Sequence, residues 1–594
     1  MLKVKNWALF FAVLIISSYS FAQQNLIQNI QSRSILSLNG KWNYIVDPYE
    51  NGFYDYRHDP FDQSASKSGG FFDDKKPKNK SELIEYDFDY SPAMNVPGDW
   101  NSQSEKLELY EGSVWFRRKF DVKPENDKRY YVYFAAVNYE AHVYLNGKKL
   151  GIHKGGFTPF QFEVTGQLKD GSNSLVLKVD NTRKQDEIPT INTDWWNYGG
   201  ITRDVFLAAL PKTFVADYKI QLPKAKSDFI EGFVQLSDSI ANQKVTVTIP
   251  ELKINTVVTT NQYGKVDLKI AYKNLVMWSP ENPKLYNVTV STTTEKINDK
   301  IGFRRIETAG NNIMLNGKSI FLRGISIHDE NPLLAGRLRS EGDMRLLLQW
   351  AKDLNCNYVR LAHYPHNEDM IRLADEMGLM VWAEVPVYWT INWTNPATYA
   401  NAKQQLTDLI LRDKNRASVV IWSVGNETPL SDARLSFMSN LVETARSLDD
   451  TRLIAAALEV HREGNTMVLN DPLGEKIDLV SFNEYAGWYF GGVPSEITKF
   501  DFNIKYNKPV VISEFGGDAL AGFHADENTR WSEEYQEALY KNQITMLSKI
   551  KSLRGITPWI LTDFRSPRRQ HPIYQNFWNR KGLISETGEK KKAY

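Results

Sequence analysis

Glu427 and Glu514 are the residues around which chemistry can be built. Each follows an apolar, strand-like run in the second half of the 594-residue chain: Glu427 comes after Val419 to Val424 by way of Asn426, and Glu514 after Pro509 to Ile512. Cleaving a glycosidic bond with retained configuration needs such a pair. One protonated carboxyl delivers a proton to the leaving oxygen, and one ionised carboxylate attacks from the opposite face of the ring, about 5–5.5 Å away. Repulsion between close carboxylates raises the pKa of one of them, so it stays protonated near neutrality while its partner stays charged. A structural ion pair would explain either glutamate alone about as well, but both in matching contexts favour chemistry.

Polar residues follow other apolar runs too. His328-Asp329-Glu330 come after the first, His363-Tyr364-Pro365 after the second and Glu384 closes the third. Asn483-Glu484-Tyr485 follow the sixth, and Trp559 and Asp563 come with the eighth. Acids at so many run ends would repel one another unless hydrogen-bonded or used, and function is the economical explanation.

The elements that must position these groups are eight apolar runs alternating with amphipathic stretches after Gly302. The runs are Ile320 to Gly324, Tyr358 to Leu361, Leu379 to Val385, Val419 to Val424, Leu453 to Ala457, Leu479 to Phe482, Pro509 to Ile512 and Ile556 to Leu561. Helical spacing appears between them at Asp343 to Leu354, Glu368 to Met377 and Gln404 to Leu411. Eight strand–helix repeats close a (β/α)₈ barrel, a TIM barrel, over residues 303–594, whose functional groups gather at the C-terminal strand ends. Strands four and seven then face each other across the mouth. No glycine-rich phosphate loop follows the first run, which disfavours an open nucleotide-binding sheet.

Upstream, residues 23–211 carry short β runs, among them Val114 to Phe120 and His142 to Leu145, the latter ending in the hairpin turn Asn146-Gly147. The polar interval Tyr49 to Lys80 reads as a surface insertion in that domain. Residues 212–302 alternate in the manner of one small β-sandwich. Residues 1–22 have the form of a secretory signal peptide: Lys3 and Lys5, an apolar run from Trp7 to Ile16, then Ser20-Phe21-Ala22. Export to the periplasm or the medium is expected, without a membrane anchor.

A formal net charge of +1, from 72 Lys plus Arg and 71 Asp plus Glu, argues against a nucleic-acid partner. The single cysteine, Cys356, excludes an intramolecular disulfide and reads as an inert buried thiol. Sixteen Trp and 29 Tyr suit stacking against sugars, though a large β-rich core would account for them as well. Neither a cofactor nor a metal is expected, because His328 and His363 lie on separate strands without short ligand spacing. The oligomeric state is left open, a homo-oligomer included.

Several segments resemble glycoside hydrolase family 2. Trp422-Ser423-Val424-Gly425-Asn426-Glu427 looks like that family's acid/base segment and Ile512-Ser513-Glu514-Phe515-Gly516-Gly517 like its nucleophile segment. Gly302-Phe303-Arg304, Leu315-Asn316-Gly317-Lys318 with Leu322-Arg323-Gly324, Arg360-Leu361-Ala362-His363-Tyr364-Pro365 and Trp278-Ser279-Pro280-Glu281-Asn282-Pro283 are further similarities. The resemblance implies an N-terminal jelly-roll, an immunoglobulin-like β-sandwich and a C-terminal barrel. It makes Glu427 the acid/base, Glu514 the nucleophile, and Asn426 a partner of the sugar 2-hydroxyl.

Within the family the chain is most similar to the β-glucuronidase branch. Asn579-Arg580-Lys581 matches an Asn-x-Lys pair that grips a C6 carboxylate, where an ammonium and an amide suit an acid better than a neutral hydroxymethyl group. The same resemblance makes Asp194 a ligand of sugar hydroxyls, Tyr485 the residue that orients Glu514, Tyr489 a substrate contact and Trp559 a stacking floor. It adds His328 and His363 as substrate-binding candidates. The branch also carries an arginine nearer the Asn-x-Lys pair, where this chain has Gln575, and a longer lid in place of Tyr388 to Thr398, so a more open mouth is expected. Arg565, Arg568, Arg569 and His571 form a basic stretch after Asp563. A solvated loop is its plain reading, yet such guanidinium groups, Arg568 among them, also suit carboxylate or sulfate groups on an acidic oligosaccharide. The expected partner is a uronic-acid-bearing glycan or glycoconjugate. A β-galacturonidase, β-galactosidase or β-mannosidase of the same family, and a noncatalytic glycan-binding protein, stay open as alternatives.

Overall fold

A computed structural model describes residues 26–63 and 69–594. The proposed signal peptide lies outside the described residues.

The first domain is a jelly-roll sandwich. A six-stranded sheet, in which Ser113–Val122 pairs with Gly171–Asp180, faces a four-stranded sheet that includes Lys128–Phe134 and Val205–Pro211. Inward residues of both sheets, such as Val114, Phe116, Val132, Leu177 and Leu207, form the core between them. The interval 49–80 differs from the polar insertion expected. Phe53 and Phe72 are buried with Phe88 against the outer face of the larger sheet, over Trp115, Tyr144 and Val176. Phe72 stacks on Tyr144 with ring centres 4.7 Å apart. A few large rings supply enough apolar area to pin a segment whose average composition is hydrophilic.

The second domain pairs a three-stranded with a four-stranded antiparallel sheet, as in an immunoglobulin-like sandwich. Arg304, at its junction with the third domain, is buried and donates to the carbonyls of Ala417, Val419 and Thr451, which binds the sandwich to the N-terminal side of the barrel.

The third domain is a closed barrel of eight parallel strands: Leu322–Ile327, Tyr358–Leu361, Met380–Glu384, Val419–Asn426, Leu453–Leu458, Val480–Glu484, Val510–Phe515 and Leu553–Ile556. Every residue of the fourth strand is buried, as expected where one face meets the lumen and the other the surrounding helices. Helices begin with matched caps, including a Ser340–Asp343 capping box and Asn395 before Pro396. The ring is irregular. After strands five and six the α-helices give way to 3₁₀ turns and a small ribbon built from His461–Glu463, Thr466–Leu469 and Asp501–Ile504.

The eighth strand starts and ends earlier than the sequence led us to expect. The regular strand spans Leu553–Ile556, but its pairing runs on irregularly: the Thr557 amide bonds the Ile512 carbonyl at 2.9 Å, and the Ser326 amide bonds the Pro558 carbonyl at 3.1 Å. Residues 557–561 stay between the seventh and first strands, where the Trp559 amide bonds the Phe515 carbonyl at 2.8 Å and the Leu561 amide bonds the Ser326 carbonyl at 3.0 Å.

Candidate active site

The fourth strand delivers its glutamate through a strained residue. Glu427 has φ of 47°, a left-handed conformation that side chains larger than glycine rarely adopt. Its amide bonds the Ala457 carbonyl of strand five at 3.0 Å, which holds this turn in place. The carboxylate lines a cavity of about 290 Å³ at the C-terminal end of the barrel, together with Glu514 from strand seven. His363, Tyr388, Trp389, Tyr485, Tyr489, Trp559, Arg568, Arg569, Asn579 and Lys581 complete the barrel's share of its wall, and Asp194 reaches in from the jelly-roll.

The two carboxylates are in unlike surroundings. Glu427 accepts from Trp389 Nε1 at 2.9 Å, at the longer range of 3.5 Å from Asn426 Nδ2, and also from the Asn483 side chain. Burial, and after it the charge of Glu514, push its carboxyl up to about 7, with the Trp389 bond acting the other way. Desolvation therefore outweighs the mutual repulsion anticipated from the sequence. Glu514 instead lies among donors. Arg360 Nη1 is 2.6 Å from its Oε1 and the Tyr485 hydroxyl donates to Oε2 at 2.7 Å. Burial thus favours the protonated form of Glu427, while two donors fix the orientation of Glu514.

Arg360 ties the floor together. It is fully buried and also donates to both Glu384 oxygens at 3.1 Å and to Asn426 Oδ1 at 2.8 Å. His363 Nδ1 lies 2.7 Å from Glu384 Oε1, and its ring stacks on Trp559 at 4.7 Å. Arg360 was missed as a functional residue in the sequence, although a guanidinium inside an apolar run facing a barrel lumen is itself a signal. Such a charge is costly to bury unless fully paired. Trp389 carried no comparable signal.

Tyr485→Phe should leave the fold intact and lower kcat by roughly ten- to a hundredfold, the worth of one hydrogen bond to a charged group. The readout is kcat measured apart from KM, alongside the thermal midpoint. Loss confined to KM would assign Tyr485 to binding instead.

Asn579 and Lys581 also line the cavity, while Arg580 between them pairs with Asp563. Lys581 Nζ lies 2.6 Å from Asp518 Oδ1. Burial opposes its charge, but Asp518 holds its pKa above the ordinary lysine value. Gln575 donates to Asp518 at 3.1 Å. Arg569 pairs with Asp194, its Nε 3.1 Å from Oδ1, and that carboxylate also accepts from Ser566 Oγ at 2.6 Å and from Asn579 Nδ2 at 3.4 Å. Asp194 is therefore held by barrel residues as well as facing the cavity.

Two expected contacts fall elsewhere. His328 is buried behind the wall, its Nδ1 3.0 Å from the Tyr364 hydroxyl, because the strand-one end tucks beneath Trp559 and Phe564. Asn426 does not line the cavity. Its amide oxygen is taken by Arg360 and by Asn483 at 3.3 Å, which leaves only the amide nitrogen to reach a ligand.

Most acids at the strand ends are structural, contrary to the functional reading of the whole set. Asp329 pairs with Arg203 of the jelly-roll at 2.9 Å, and Asp563 with Lys591 at 2.7 Å. Glu330 and Glu484 accept backbone N–H groups at 2.8 Å, from Arg565 and Ala486 respectively.

A jelly-roll loop inserted at the mouth of a barrel, with two unlike glutamates sharing one small cavity, defines a modular glycoside hydrolase. Models of the glycosyl hydrolases family 2 match nearly the whole described chain. They cover the sugar binding domain over residues 35–211, the central domain over 213–304 and the TIM barrel domain over 306–591. The protein belongs to that family. It is 28% identical over 558 residues to a putative beta-glucuronidase of Formosa agariphila, an alignment spanning 84% of this chain and 66% of the relative. A beta-galactosidase of Thermoanaerobacter pseudethanolicus is 31% identical over 63% of this chain and 53% of its own length. The structure of a β-glucuronidase from Ruminococcus gnavus bound to D-glucaro-d-lactam is similar with a TM-score of 0.80, at 25% identity over 96% of this chain and 97% of that one.

Proposed function

We propose that the protein is a retaining, exo-acting β-glucuronidase that removes a terminal uronic acid from a glycan or glycoconjugate. The observation that carries this reading is the placement of Lys581 and Asn579 in the same cavity as Glu427 and Glu514. An ammonium whose charge Asp518 favours, in one cavity with the carboxylate pair, suits a sugar that carries an acid at C6. A cavity of about 290 Å³ is at the small end of ligand sites and holds a single sugar unit, which supports action at a chain end.

The chemistry is a double displacement. Glu514, oriented by Arg360 and Tyr485, attacks the anomeric carbon while Glu427 gives its proton to the departing oxygen. Glu427, now ionised, takes a proton from water, which attacks the glycosyl–enzyme ester and frees Glu514 with the original configuration restored. The N-terminal leader pattern supports export, so the substrate would be met in the periplasm or the medium.

A panel of aryl β-glycosides tests the substrate. The glucuronide should be cleaved with kcat/KM roughly 10²- to 10⁴-fold above the galactoside and mannoside, because a neutral hydroxymethyl group cannot make the charge-assisted bonds that a carboxylate makes with Lys581 and Asn579. A galacturonide arm decides between C4 epimers. Lys581→Ala should narrow the gap by lowering uronide turnover, while Asp518 keeps Gln575 and the Arg580 amide as partners. If that variant cleaved the uronide undiminished and neutral sugars faster, the carboxylate grip would be wrong.

A further inference from the structure

Of the arginines in the loop after the eighth strand, two are consumed in ion pairs. Arg565 pairs with Glu108 and Arg569 with Asp194, both across to the jelly-roll. Arg568 differs. It is exposed at the cavity rim, and among the described residues its only side-chain hydrogen bond runs from Nη1 to the amide oxygen of Asn192, with no carboxylate in ion-pair reach. Its guanidinium carbon lies 5.0 Å from the ring centre of Trp389, over that aromatic face.

That surface adjoins the acid/base. Trp389 Nε1 donates to Glu427 Oε2 at 2.9 Å, and the Trp389 amide bonds the Asn426 carbonyl at 3.0 Å, so the indole is tied to the end of strand four twice. Trp389 has φ of 54°, an unfavourable backbone for a bulky residue, which these two bonds and packing on Tyr388 must stabilise. A general acid must lie within hydrogen-bond reach of the oxygen it protonates. Whatever leaves with that oxygen therefore passes beside Trp389 and Arg568.

We infer that Trp389 and Arg568 form the seat of the leaving group, and that this seat takes a sugar bearing an anionic substituent, a sulfate ester or a carboxylate. The inference rests on the β-glucuronidase reading and adds a second charge requirement to it. Lys581, which is buried, serves the acid on the sugar that is removed, while the exposed Arg568 serves an acid on the sugar left behind. Its free N–H groups form the planar fork that matches either oxyanion. Because the rim is open to solvent, the attraction is screened by salt.

The test uses β-glucuronosyl disaccharides whose leaving sugar is unmodified, O-sulfated or carboxylated, with 4-nitrophenyl β-glucuronide as reference. The wild type should prefer at least one anionic disaccharide over the unmodified one by about tenfold in kcat/KM at low salt, a preference that shrinks as NaCl is raised. The sulfate and carboxylate arms identify which group is read. Arg568→Gln should abolish the preference, and Arg568→Lys should restore part of it by returning the charge without the planar fork. Equal turnover of all three disaccharides by the wild type, or a preference that survives in Arg568→Gln, would overturn the inference. Absence of activity on 4-nitrophenyl β-glucuronide itself would overturn the underlying reading instead, so the two failures are distinct.

Discussion

Glu514→Ala is expected to lower turnover of an aryl glucuronide by roughly 10⁴- to 10⁶-fold, the scale seen when a covalent nucleophile is removed. The reasoning follows the environment of the carboxylate. Arg360 and Tyr485 each aim a hydrogen bond at one of its oxygens, which fixes its orientation toward the cavity. Glu514→Gln is the companion variant, because an amide oxygen can still accept from Arg360 and spare the buried guanidinium an empty partner. Thermal unfolding should therefore separate a chemical defect from a folding one. Two further readouts are specific to the role. Incubation with 2-deoxy-2-fluoro-β-glucuronosyl fluoride should add one sugar to the wild type by intact mass and none to Glu514→Ala. Azide should enter the space left by the carboxylate and give an α-configured glycosyl azide. Residual activity within tenfold of wild type, or an adduct on the variant, would remove Glu514 from the nucleophile's role.

Much of this site could be read from the chain because a barrel converts sequence order into spatial order. Once apolar runs alternate with helical spacing, the residue after each run is assigned to the mouth, and Glu427, Glu514, His363 and Tyr485 follow without further information. The same rule overreached at Asp329, Asp563 and Glu330. Their partners, Arg203, Lys591 and the amide of Arg565, come from a different domain or from the far end of the chain, and run-end position says nothing about who neutralises a charge. Asp194 illustrates the limit from the other side. Its contact with Arg569 spans 375 positions, so the basic loop looked solvated although one of its members is consumed inside the cavity. The aromatic pinning of residues 49–80 escaped for a related reason. Average polarity describes a segment, whereas Phe53 and Phe72 act as individual anchors.

Removal of the other carboxylate should produce a defect that depends on the leaving group. Glu427→Ala is expected to cost roughly 10²- to 10⁴-fold on substrates whose leaving oxygen needs a proton. Formation of the glycosyl–enzyme from a dinitrophenyl glucuronide, whose leaving group departs as a stable anion, should be largely spared. Its hydrolysis should then be slow for want of a base, the ester should accumulate, and azide should restore turnover with a β-configured product. The pH profile gives an independent sign. Burial first, and Glu514 second, raise the Glu427 carboxyl to about 7, so the acid form needed for the first step is present below that pH and is lost as pH rises through it. Wild-type kcat/KM should accordingly fall on the alkaline side with a midpoint near 7, since this parameter reports the free enzyme. Glu427→Ala, assayed with the dinitrophenyl substrate, should lack that limb because no proton is donated. An alkaline limb that persists unchanged in the variant would mean that another group titrates, and the cavity would then be using a different acid from the one its desolvated glutamate supplies.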